Sequence, residues 1–311
     1  MIAWLVLLQA SLTIAVAGPP TSPQYLPLHV AQAEGLFTAQ QLTVSLRSMR
    51  SDAGAAEALA AGQAQLAATS LDAALRLGSA DGTPPRLVLG FTAAPPVALL
   101  VAPGRAETIR SAADLAGQTV AIPAPGTAED RVLALLLARA GVRQPRVNVR
   151  SFGERGAARA LEGGEVAAAV LAEPFVSRLV EGGKAVVAVD LRTVKDAAAA
   201  LGGPTVDAAL FGRADNLPDA ATLRALRVAL QTAVARVTAG EPAALQATLR
   251  AAVIGSAPDF IARLLSARDL FLTDGRVTAD ALERSIELLR TRAPLPAKVE
   301  LPGRAERLLV E

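Results

Sequence analysis

A chain of 311 residues with 52% hydrophobic residues, and with 31 basic against 29 acidic side chains for a net charge of +2, has apolar material for one large or two medium domains. Cysteine is absent, which excludes disulfides, iron–sulfur clusters, thiolate zinc sites and a lipid-modified amino-terminal cysteine, and the single histidine, His29, cannot build a multi-histidine metal centre. No block of five like charges occurs, so nucleic acid is not an expected partner, and neither a cofactor nor a metal is expected.

The first element is an apolar run, Met1 to Ala17, stopped by Gly18-Pro19-Pro20. It reads either as a signal peptide cut after Ala15-Val16-Ala17 or as a residual signal-like segment over 1–10 followed by a buried strand, Ser11 to Ala17. An internal duplication favours the second reading. Ser11 to Leu36 lies without a gap over Gly117 to Val142, both in the order strand, Gly/Pro loop, helix, glycine stop, so Ser11 to Ala17 is the counterpart of the strand Gln118 to Ile122. His29 falls inside the helical part of the first copy, between Leu28 and Val30, as a packing or helix-face residue rather than a catalyst.

Val44 to Ser48 and Val147 to Ser151 form the next strand of each copy. Gly54 to Leu77 over Gly156 to Leu179 then gives a second ungapped match of 24 residues with nine identities, including Gly54/Gly156 and Gly62/Gly164, and reads as helix, glycine turn, apolar strand, helix. Strands alternating with helices at this spacing imply an α/β protein of two similar lobes, each with a parallel sheet covered on both faces. Pro95-Pro96 before the strand Val97 to Ala102, and Gly202-Gly203-Pro204 before Val206 to Phe211, mark two crossings between lobes. The expected division is 11–96 plus 205–311 for lobe one and 97–204 for lobe two. The remainder is helical by periodicity, over Asp219 to Thr238, Pro242 to Val253, Pro258 to Leu265 and Thr278 to Arg292, and most simply completes lobe one.

In such sheets a ligand sits beyond the carboxyl ends of the strands, against the amino ends of the following helices. In lobe one the loops so placed carry Thr21, Ser22, Gln24 and Tyr25, then Arg50, then Ser70 and Asp72; in lobe two they carry Gly126, Thr127 and Glu173. Gly126 and Thr127 open a helix that offers free amides to an anionic group, although an ordinary cap with Glu129 in the first turn would give the same residues. Asp72 and Glu173 follow matching strands and either hold an amine or ring nitrogen or simply satisfy helix dipoles. Arg50 suits a sulfonate, carboxylate or phosphate, and a solvated arginine would look the same. Aromatic residues make up only 3% of the chain, so the one tyrosine, Tyr25, at a helix start is a candidate stacking surface as well as a core residue. There is no Walker-type phosphate loop, dinucleotide fingerprint, GxSxG elbow or serine–histidine–acid set, so no catalytic residue is expected.

Pro27-Leu28-His29-Val30-Ala31-Gln32-Ala33-Glu34-Gly35-Leu36-Phe37 resembles the opening helix of the solute-binding proteins of ABC transporters for nitrate, aliphatic sulfonates, taurine and thiamine-pyrimidine precursors. Leu42 to Leu46 resembles that family's second strand, with Gln41 where glycine is usual. Ala58 to Leu66, Ala113 to Ala121 and Glu173-Pro174-Phe175 match in order, so the resemblance covers most of the chain. Ala172 replaces the family's aromatic before Glu-Pro, and the first-strand loop is unusually rich in proline. The resemblance implies a type II periplasmic-binding-protein fold with two hinge strands. It implies a monomeric periplasmic receptor, exported by a signal peptide, that takes a small polar or anionic solute between its lobes and passes it to an ABC transporter permease. The competing expectation is an enzyme on the same fold, of the pyrimidine-precursor or menaquinone-pathway type.

Overall fold

A computed structural model describes residues 10–79, 81–143, 146–292, 295–299 and 301–310; the signal-like segment falls almost wholly outside them. The first lobe starts β1 (Ala10–Val16), α1 (Leu26–Ala33), α2 (Leu36–Ala39), β2 (Leu42–Ser48), α3 (Asp52–Ala60), β3 (Leu66–Ser70), α4 (Leu71–Leu77) and β4 (Arg86–Gly90). The second holds β5 (Val97–Val101), β6 (Thr119–Ile122), α5 (Ala128–Arg139), β7 (Asn148–Ser151), α6 (Gly153–Glu162), β8 (Ala168–Ala172), α7 (Phe175–Glu181), β9 (Val186–Asp190) and α8 (Val194–Leu201). The chain then returns through β10 (Ala208–Gly212) and ends in α9 (Ala220–Ala239), α10 (Pro242–Thr248), α11 (Ala251–Ile254), α12 (Ala257–Arg268) and α13 (Ala279–Arg292).

The two sheets have the same plan: β2-β1-β3-β10-β4 and β7-β6-β8-β5-β9. The duplicated strands β1, β2 and β3 correspond to β6, β7 and β8, and β4 corresponds to β9. The fourth strand of each sheet arrives from the far side of a crossing, β10 in one and β5 in the other. The sheets are therefore mixed, where parallel sheets were expected: β10 runs antiparallel to β3 and β4, and β5 antiparallel to β8 and β9. A returning chain enters at the end of the sheet from which β1–β3 or β6–β8 exit, and must run the opposite way.

β1 sits between β2 and β3, with Ile14 and Ala15 fully buried, which agrees with a strand at Ser11 to Ala17. Strands covered on both faces send alternate side chains into separate cores. Val97, Leu99 and Val101 of β5 enter one cluster of the second lobe, and Ala98 and Leu100 enter the other. Gln41 takes a left-handed conformation, φ 59°, at the position where the resemblance has glycine.

Two helical readings change. The stretch Pro242 to Val253 breaks at Leu249 and Arg250, both extended, into α10 and α11. α13 serves both lobes, because Leu282, Ile286 and Leu289 join the core of the first while Leu288 joins that of the second. The crossings at 91–96 and 202–207 are laced together: the Asp207 amide donates to the Thr92 carbonyl at 2.9 Å, the Thr205 hydroxyl to the Ala93 carbonyl at 2.8 Å, and the Val206 amide to Ser285 Oγ of α13 at 2.9 Å.

Candidate functional site

The loops after β1, β2, β6 and β8 converge on one cleft of about 290 Å³ between the lobes. Thr21, Ser22, Gln24, Tyr25 and Arg50 line it from one side, and Gly126, Thr127 and Glu173 from the other. The segments 18–25 and 124–129 thus face a common space.

The first loop is shaped by local chemistry. Gly18 is left-handed, φ 73°, and a Cβ there would lie 2.7 Å from Ser22 Oγ. The Ser22 amide closes the turn on the Pro19 carbonyl at 2.9 Å, and Pro23 then starts a short 3-10 turn that delivers Tyr25. Tyr25 is 2% exposed and meets Phe91 edge to face with ring centroids 6.3 Å apart, so it is both a core residue and part of the cleft wall. Its hydroxyl donates to Asp52 Oδ1 at 3.0 Å. With that hydrogen committed, the phenol oxygen is left as an acceptor. Burial holds its ionisation well above the ordinary range, and Asp52 and Asp207 push it the same way.

Asp52, the first residue of α3, follows the capping Ser51, whose hydroxyl accepts from the Gly54 amide. Its carboxylate receives Tyr25 and the Ser70 amide on Oδ1, and on Oδ2 the guanidinium of Arg131, 2.7 Å away on α5 of the other lobe. Arg131 is 5% exposed and lies 3.6 Å from Asp207 as well. Burial opposes its charge, but Asp52 and then Asp207 outweigh it, and the guanidinium is held above its usual range. Asp207 is the weaker partner: burial pushes it up to about 6, with Arg131 pulling against that and Asp52 adding to it.

The start of α5 is a completed cap. The Thr127 hydroxyl donates to the Ala124 carbonyl at 2.9 Å, and Asp130 Oδ2 accepts the Gly126 amide at 2.8 Å. Those hydrogen bonds occupy the Gly126 amide and the Thr127 hydroxyl, and favour the capping reading of these two residues. Glu129 borders the cleft; burial raises its carboxyl above the ordinary value, and nearby Glu154 adds to the rise. Glu173, 7% exposed, accepts from Arg192 at 2.5 Å and from the Ser177 hydroxyl and amide at 2.9 and 3.0 Å. Arg50 is exposed and makes no ion pair among the described residues.

Ser70 and Asp72 do not belong to this group. Ser70 is buried and caps α4 through the Ala73 amide, and Asp72 pairs with Arg76 at 2.6 Å, bordering a separate small void. In the duplication Asp72 aligns with Pro174, one position past Glu173; one residue is about 100° around a helix, so the two carboxylates cannot share a direction. The cleft also contains Glu129, read from sequence as a first-turn acid, and Ser51, Asp52, Glu154, Arg263 and Ser266, which were not named as candidates.

His29 lies on α1, outside the cleft lining, and burial lowers its pKa. A wider depression of about 940 Å³ borders β4 under residues 306–310, away from the strand ends that meet at the cleft. Two of its arginines are engaged there by backbone, Arg86 by the Leu309 carbonyl and Arg227 by that of Val310. Among the described residues no group of acids and histidine is placed to hold a metal, and no helix is long and apolar enough to cross a membrane.

Two α/β lobes, two crossings and loops meeting on one cleft define a periplasmic-binding-protein fold. The family model "NMT1/THI5 like" matches residues 22–239, and the chain belongs to that family. A structure from Bordetella bronchiseptica RB50 is 25% identical, with TM-score 0.73 and 96% of each chain covered. The periplasmic aliphatic sulphonate binding protein SsuA from Escherichia coli is 21% identical with TM-score 0.72, covering 96% of this chain and 98% of that one. The alkanesulfonate-binding protein SsuA from Xanthomonas axonopodis pv. citri, bound to MOPS, is 19% identical with TM-score 0.67, covering 97% and 98%. No curated protein matches the sequence.

Proposed function

We propose that this protein is a non-catalytic, extracytoplasmic receptor that closes its two lobes on a small polar or anionic solute and presents it to an ABC importer. The observation that carries the reading is the meeting of both sets of strand-end loops on one cleft, two of whose four acids, Asp52 and Glu173, are neutralised from behind by Arg131 and Arg192. Such a wall holds shape and hydrogen-bonding character rather than a reactive group, and the sole histidine is elsewhere. A solute touching both walls stabilises the shut form, which a membrane partner can distinguish from the open one.

Arg50 and Arg263 are the cations of the lining. They suit an anionic group such as the sulfonates bound by the two SsuA proteins, and Tyr25 supplies an acceptor for the solute's polar end. The test is a thermal-shift and calorimetric screen with alkanesulfonates, nitrate and aminopyrimidines. Saturable binding of one class, with Arg50→Ala weakening an anion about tenfold or more, supports the reading. Turnover of a small metabolite by the purified protein in the absence of a membrane would overturn it.

A further inference from the structure

Arg131 is not among the residues that line the cleft. It leaves α5 of the second lobe, enters the first, and ends between the carboxylates of Asp52 and Asp207 with its side chain 6% exposed. Asp52 and Asp207 are nearly as enclosed, at 17% and 15%. Each stands on a different element. Asp52 holds Tyr25 and opens α3, whereas Asp207 lies on the second crossing, with its amide on the Thr92 carbonyl and its carbonyl accepting the Leu71 amide at 2.7 Å. Arg131 also reaches back to the Gly126 carbonyl of its own lobe at 3.4 Å. One guanidinium therefore joins the solute-facing wall of lobe one, the crossing and the cleft loop of lobe two.

Two polar ties between the lobes among the described residues are of a different kind. Arg178 pairs with Asp259 in the open, its own side chain 58% exposed, and the Val194 amide donates to Asp269 Oδ2 at 2.8 Å near the surface. Salt and water screen such contacts, whereas separating Arg131 from its carboxylates leaves enclosed charges without a counter-ion.

We propose that Arg131 is the positioning residue of the cleft: by bridging Asp52 and Asp207 it sets the separation of the lobes in the absence of solute and fixes Asp52 and Tyr25 as the wall that a solute meets. The inference adds a preset to the receptor reading. The bridge biases the lobes toward each other before binding, so less of the closing is left to the solute, whose contacts with both walls complete it.

The chain has no cysteine, so spin labels can be placed at will. Arg47→Cys, at the carboxyl end of β2, and Arg155→Cys, in the first turn of α6, put one label on an exposed position of each rim. Distances between them are measured on solute-free protein. The expected result is a predominant short-distance population that persists in 0.5 M salt and with Arg178→Gln. Arg131→Gln should shift most molecules to a longer, broader population, and Arg131→Lys, with one ammonium for two carboxylates, should restore the short one in part. Should Arg131→Gln not fold, Arg131→Met combined with Asp52→Asn and Asp207→Asn removes the stray charges and should fold with the long population. An unchanged short distance in Arg131→Gln or in the triple variant overturns the proposal, as does a long distance in the wild type. A failed solute screen would sink the receptor reading and leave these distances untouched.

Discussion

Asp207 shows what a single enclosed carboxylate does to this molecule. Arg131 is shared, and its closer contact is with Asp52, so Asp207 carries most of the cost of burial and keeps its proton up to about pH 6. In the unfolded chain an aspartate releases its proton near pH 4. Folding is thus favoured by this group at low pH, and the contribution is lost as the pH rises from about 4 through 6. Asp207→Asn should flatten that part of the profile: the loss of denaturant midpoint between pH 4.5 and 7.5 should be smaller in the variant than in the wild type. Legibility from sequence divides along the same line. Tyr25 and Arg50 were visible because they occupy loops after strands and because aromatics are scarce. Asp52 and Arg131 are 79 residues apart, and Asp207 lies about as far again along the chain, so nothing local announced their meeting. The available sign was a charged residue bordering or interrupting an apolar stretch, Arg131 before Val132-Leu133 and Asp207 between Val206 and Ala208-Ala209, each of which demands a partner once buried.

At the scale of elements, the loops before α4 and α5 make opposite points. Both were read as sources of ligand contacts, and both are capped helix starts, but only that of α5 opens on the cleft. Thr127→Ala should cost about 1 kcal/mol of stability through the lost cap, seen as a lower unfolding midpoint. Asp72→Asn should leave the affinity for any solute unchanged, because Arg76 and a separate void surround that carboxylate; a tenfold weakening would return Asp72 to the binding surface. The repeated strands and helices were legible from coinciding glycines and ungapped matches, since turns and burial leave marks within a few residues. β4 and β9 were not, because Arg86 to Gly90 and Val186 to Asp190 lie beyond the matched blocks. Nor was the direction of β5 and β10, which depends on where the chain re-enters a sheet and not on its own side chains.

The whole molecule depends on two exchanged strands. Sheet two takes all of its strands from one stretch, 97–190, while sheet one needs β10 from residues 208–212 to join β3 to β4. An excised 97–201 fragment should therefore melt cooperatively in a calorimeter, and a 10–96 fragment, lacking the strand that connects its sheet, should not. A cooperative transition in the 10–96 fragment would contradict that division. For a chain emerging from one end, the difference becomes a timetable. The second lobe has every strand of its sheet once about two thirds of the polypeptide exists, but the first must wait with β4 unattached until its late strand arrives, and the half that begins first is the last to be finished.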